Sequence, residues 1–93
     1  AGLLHIDILE RVDAEKLIEI DNVQLYGSLR LLQSFGPLMR KAQNPRLILS
    51  SSPAGCMAIP IMGPNTIGRH ATEGFAKVAY LEGRAWPNPM QVC

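Results

Sequence analysis

Asn65 and Arg69 stand four residues apart in GPNTIGRHATEGFAKVAYLEGRAW (63–86), a stretch that reads as the opening and body of one helix. That spacing stacks the amide and the guanidinium on one helix face. Taken alone, the pair is either an ordinary solvent-facing rim or what is left of a proton-transfer site. Other candidates for chemistry are weaker. Ser50-Ser51-Ser52 follows a short apolar run without the Gly-x-Ser-x-Gly elbow of an exposed nucleophile, and so reads as a strand-end turn. His5 and His70 lack partners at metal or triad spacing, so no metal site is expected. Cys56 and Cys93 form no Cys-x-x-Cys, and two thiols make no disulfide framework. They point to a reducing, intracellular and hence cytoplasmic setting.

The elements that must position these residues can be read from periodicity. Residues 1–12 mix apolar and acidic side chains without a clean period and read as loop. Asp13 is a good N-cap, with Glu15 in the first turn where negative charge meets the helix dipole favourably. A helical stretch follows to about Ala42, striped by Leu25, Leu29, Leu32 and Phe35. Gly36-Pro37 should kink it near its end, and Gln43-Asn44-Pro45 should stop it. RLILS (46–50) has the form of a strand buried on both faces. A loop over 50–64 leads into a helix over roughly 65–84, whose buried side is expected to be Ala71, Phe75, Val78, Ala79 and Leu81. MQVC (90–93) begins a second strand. Strand, helix and strand in that order make a parallel βαβ unit. Met57, Ile59, Ile61 and Met62 suit an apolar substrate mouth and suit packing within their own loop equally well.

Taken together, these spacings resemble the short-chain dehydrogenase/reductase family. There a buried strand ends in a Ser pair, and the active-site Ser lies thirteen residues before the Tyr of Tyr-x-x-x-Lys. Here Ser52 lies thirteen residues before Asn65, and Arg69 holds the Lys position. RHATEGFAKVAYLEGRAW (69–86) is similar to the family's segment after the Tyr, and VQLYGSLRLLQSFGPLMRKA (23–42) to the helix before its strand, which places Gln24 at the position of a fourth active-site residue, Asn. Ala1-Gly2 fits the tail of an Asn-Asn-Ala-Gly that ends an earlier strand.

The resemblance implies an α/β fold: a partial Rossmann-like, doubly wound parallel-sheet fragment of two long helices and about two parallel strands. Residues 1–93 would form one partial domain without the cofactor-binding half. It further implies NAD or NADP as cofactor, contacted here by Arg69, with a hydrophobic alcohol or ketone at Ala54, Met57, Ile59 and Met62. It also implies a homo-oligomer through helices 22–42 and 65–84.

Two departures qualify what the resemblance implies. The family's glycine-rich turn, whose backbone N–H groups cradle a pyrophosphate, is not rebuilt by any Gly in these residues. Of the four active-site positions only Ser52 is unchanged. Asn65 can orient a carbonyl but has no proton to exchange near neutral pH. Arg69 keeps the charge of Lys in a planar fork of different geometry, and Gln24 is one methylene longer than Asn. The expectation is a chain that binds no nicotinamide cofactor by itself and turns nothing over. The alternatives are a non-catalytic dimerisation module, or a truncated or artificial relative without activity.

Composition sets the remaining bounds. The chain has 93 residues, 47% of them apolar and 18% charged, with a net charge of +1. That suits one small, thinly cored domain and gives no electrostatic case for nucleic acid. No apolar run reaches the roughly 20 residues that span a bilayer.

Overall fold

The computed structural model describes residues 4–93. The suggested place of Ala1-Gly2 at the end of an earlier strand therefore lies outside the described residues. The described part of the N-terminal segment contains a 3₁₀ turn, Leu9–Arg11, and a parallel bridge between Asp7 and Met62. Asp13 caps helix α1 (Ala14–Asp21), its side chain accepting from the Glu15 N–H at 3.0 Å. The chain then widens into a π turn, Asn22–Tyr26, and continues as α2 (Gly27–Lys41). The expected long helix over 13–42 is thus present with a π turn inside it. It runs through Pro37 to Lys41.

Strand β1 is Arg46–Leu47, paired in parallel with β2, Gln91–Val92. The Leu49 N–H extends the pairing by donating to the Cys93 carbonyl at 2.9 Å. Between the strands lie a 3₁₀ turn, Pro53–Gly55, and α3, Gly63–Gly83. The reading of a two-stranded parallel α/β fragment holds, but burial of the first strand on both faces does not. Ile48 is 75% exposed, because β1 is covered on one side and paired along one edge only.

The expected buried side of α3 also needs correction. Ala79 is buried, but Val78 and Leu81 are 57% and 67% exposed. The face turned inward carries Pro64, Asn65, Gly68, Thr72, Ala79 and Gly83. Small and polar residues line it because α1 and the π turn cross it at close range. A Cβ on Gly68 would lie 3.0 Å from Gln24 Oε1, 3.3 Å from Asp21 Oδ1 and 3.6 Å from Ile20 Cγ2. At the far end, Gly83 admits Met90, since a Cβ on the glycine would lie 2.8 Å from Met90 Cε and 2.9 Å from Met90 Cβ. Met90 is 3% exposed and its N–H donates to the Gly83 carbonyl at 3.0 Å. Arg40 stacks 4.7 Å from the centroid of Trp86, and Asn88 Nδ2 donates to the Ala42 carbonyl at 3.1 Å. These contacts tie the end of α2 to the β2 approach.

The core is small. Among the described residues its apolar members are Ile20, Ala54, Ala79 and Met90, with Pro64 fully enclosed. The radius of gyration is 14.8 Å, against about 12 Å for a compact domain of this length. The shape is a slab with apolar faces open to solvent.

Candidate functional site

The π turn aims Gln24 at α3. Residues 22–26 close i→i+5 hydrogen bonds, as when the Gly27 N–H reaches the Asn22 carbonyl, and the extra residue rotates the turn relative to α1. Gln24 is thereby 4% exposed with its Oε1 against Gly68. Single π turns inside α-helices occur frequently at functional sites. One residue beyond Gly68, Arg69 reaches back across the chain, and its Nη1 donates to the Ser50 carbonyl at 2.8 Å. Its Nε is buried and has no hydrogen-bond partner among the described residues.

Ser52 begins the 3₁₀ turn as its cap. Its Oγ accepts from the Ala54 N–H at 3.2 Å and its carbonyl from the Gly55 N–H at 2.8 Å. A Cβ on Gly55 would meet Ser51 Oγ at 2.6 Å and Glu73 Cγ at 3.0 Å, so the turn rests directly on α3. Asn65 lies in the first turn of α3 and is 9% exposed. It is therefore no solvent-facing rim. Arg69 sits one turn further on, half-buried.

The fold thus brings Gln24 to Gly68, beside Arg69, and Arg69 to the end of β1, just before Ser52. Of the residues implied for substrate, Ala54 is 1% exposed and Met57 is 57% exposed, while Ile59 and Met62 are half-buried. A groove of about 740 Å³ opens between α2 and β1, lined in part by Leu31, Phe35, Leu49, Ser50, Gln24 and Arg69.

Two residues escaped the reading of the sequence. Asp21 lies beside Gln24 at the Gly68 crossing. Its Oδ1 is buried without a hydrogen-bond partner among the described residues, and desolvation raises its carboxyl above the ordinary value. Gly68, where a Cβ would meet Gln24, Asp21 and Ile20, is the contact point of two helical segments. The available signal was Asp21 itself, an acid three residues before Gln24 without a basic residue at i+4. Thr72, 3% exposed, satisfies its hydroxyl on the Gly68 carbonyl at 3.0 Å. Among the described residues no group of three His, Cys, Asp or Glu side chains could hold a metal, and no helix is long and apolar enough to cross a membrane.

Parallel strands joined through a long helix, with a polar site at the strand ends and the helix start, define a Rossmann-like scaffold. Comparison with known proteins gives the family. The chain is 31% identical over 85 residues to 3-ketodihydrosphingosine reductase of Bacteroides thetaiotaomicron, a match covering 91% of this chain and 31% of that protein. It is 34% identical over 76 residues to the mitochondrial D-beta-hydroxybutyrate dehydrogenase of Rattus norvegicus, covering 82% of this chain and 22% of that one. A short-chain dehydrogenase/reductase from Burkholderia phymatum, solved in complex with NAD, superposes with a TM-score of 0.91 at 19% identity, over 99% of this chain and 33% of its own. No family model matches. The chain belongs to the short-chain dehydrogenase/reductase family, and it spans a third or less of the length of these relatives.

Proposed function

We propose that these 93 residues form part of the catalytic half of a short-chain dehydrogenase/reductase whose proton-transfer step has been lost. In the whole protein the reaction would be NAD- or NADP-dependent oxidoreduction of a hydrophobic alcohol or ketone. A bound nicotinamide supplies or takes the hydride, and the protein has to supply or take the proton. The observation that carries the reading is Asn65, buried in the first turn of α3 with Arg69 one turn on. An amide there can donate a hydrogen bond to a carbonyl oxygen, but it does not titrate near neutral pH. Loss of a positioned general acid removes a factor of about 10²–10⁴. Arg69 commits its Nη1 to the Ser50 carbonyl, and its other guanidinium donors remain for a ribose or phosphate oxygen. No phosphate cradle lies within these residues, so no step is assigned through the cofactor.

The test is a graft of residues 46–86 into an active relative. Turnover, followed by loss of reduced-nicotinamide absorbance with a hydrophobic ketone, should vanish. It should return in large part with Asn65→Tyr plus Arg69→Lys, and only partly with Asn65→Tyr alone. A graft that turns over at the parent rate would overturn the assignment of Asn65. For the chain by itself, calorimetric titration should give no dissociation constant for NAD or NADP below about 100 μM, roughly −5.5 kcal/mol.

A second reading, a homo-oligomeric interaction module, is favoured by the apolar side chains exposed on α2 and α3. Phe35 is 53% exposed, Val78 57% and Leu81 67%. Contiguous exposed apolar faces mark association surfaces. Sedimentation of the chain at micromolar concentration is the test, and a clean folded monomer would contradict it.

A further inference from the structure

We propose that residues 4–12 form a strap latched over the start of α3, and that a strained turn at Ile61 opposes the latch so that it can open. Ile59 to Met62 make a β-turn, closed as the Met62 N–H donates to the Ile59 carbonyl at 3.2 Å. Pro60 and Ile61 are its central residues, and Ile61 has φ 60°. A positive φ at the second central position is the type II form, which ordinarily takes Gly or Asn there. For a β-branched residue that conformation is strained. Ile61 is also 52% exposed, so burial of its side chain does not offset the strain.

Backbone strain persists only where the surrounding structure over-determines it, and here the surroundings are the strap. The Asp7 N–H donates to the Ile61 carbonyl at 2.9 Å, and Asp7 bridges Met62 in parallel. The strap is locally shaped as Asp7 Oδ1 accepts from the Ile8 N–H at 2.8 Å. Leu9 then lies on the helix start, where a Cβ on Gly63 would come within 3.0 Å of Leu9 Cδ1. The hold is light. None of residues 4–12 is buried, and Leu4, Ile6 and Leu9 are 58%, 57% and 64% exposed. Segments with so little buried apolar contact open at low cost. Opening lets Ile61 return to negative φ and lifts Leu9 from Gly63. It thereby uncovers the first turn of α3, which carries Asn65. Access to that turn is set by the balance between the Asp7 contact and the strain at Ile61.

The test is amide hydrogen exchange of the full 93-residue chain, read at Asp7, whose N–H closes the latch. Ile61→Gly and Ile61→Asn accept the positive φ without the strain, and each should slow exchange at Asp7 about tenfold. Ile61→Val keeps the β-branch and should exchange as the parent does. Ile61→Pro, fixed at a φ of about −65°, should lose the protection. It should also shift the amide resonances of residues 6–9 and Gly63 while leaving those of β1 and β2 in place. Parental exchange at Asp7 in both the Gly and Asn variants would overturn the proposal, as would retained protection in Ile61→Pro. If Ile61→Pro fails to fold, the Gly, Asn and Val variants decide by themselves. No cofactor or turnover enters the measurement, so its failure leaves the reading of Asn65 intact.

Discussion

Gln24 and Gly68 meet where the π turn crosses α3, and a single Cβ on the glycine would come within 3.0 Å of the Gln24 Oε1. The contact sets how closely the helical segments approach, and it lies beside Arg69, whose guanidinium holds the end of β1.

Gly68→Ala should therefore destabilise the chain, although alanine is the better helix former by about 0.5–1 kcal/mol. Overpacking at a crowded site costs about 1–3 kcal/mol, and three side chains surround Gly68, so the steric effect wins. Gly74 is the control, because a Cβ there meets nothing within 4 Å. Gly74→Ala should stabilise by about 0.5–1 kcal/mol. Urea denaturation of both variants checks the pair, and equal signs would refute the account of the crossing.

Asp21 predicts a pH dependence. Desolvation raises its folded pKa above the unfolded one, so the folded state holds this proton more tightly. Its contribution to stability is fully present below the ordinary carboxylate pKa and is lost as pH rises through the raised folded value. Asp21→Asn removes the ionisable group, so it should raise the melting temperature at pH 7 and leave it unchanged near pH 3. The difference between variant and parent melting curves is the measurement, since it cancels the other carboxylates.

Arg69→Met should free the Ser50 carbonyl and cost about 1 kcal/mol, the scale of one hydrogen bond. Arg69→Lys should recover part of that loss, because an ammonium is a donor without the planar reach of the fork. Hydrogen exchange at residues 50–55 should quicken most in the Met variant. Exchange unchanged from the parent would mean that the 2.8 Å contact does not hold the strand end.

Leu81→Asp together with Phe35→Asp should dissociate any oligomer while leaving the far-ultraviolet circular dichroism unchanged. Both side chains are more than half exposed, so the charges cost little in the monomer. A sedimentation coefficient unaffected by the pair would place the association surface elsewhere.

The sequence by itself determined the element types. Asp13, the stripe from Leu25 to Phe35, the run at 46–50 and the turn chemistry at Gln43-Asn44-Pro45 are local signals, and the elements follow them. The thirteen-residue interval from Ser52 to Asn65 and the four from Asn65 to Arg69 carried the family resemblance, because spacing along a chain is preserved when side chains change. Only the tertiary structure decided where the faces point. The π turn at 22–26 has no strong local signature, since it forms where a helix must admit one more residue to keep Gln24 against Gly68. The inward side of α3 proved to be its small and polar stripe rather than Val78 and Leu81, because helix segments crossing at close range select for missing side-chain volume. The Arg69 contact to Ser50 joins residues 19 apart in the chain. A hydrogen bond over that separation depends on how β1 and α3 pack, which no periodicity within either element encodes.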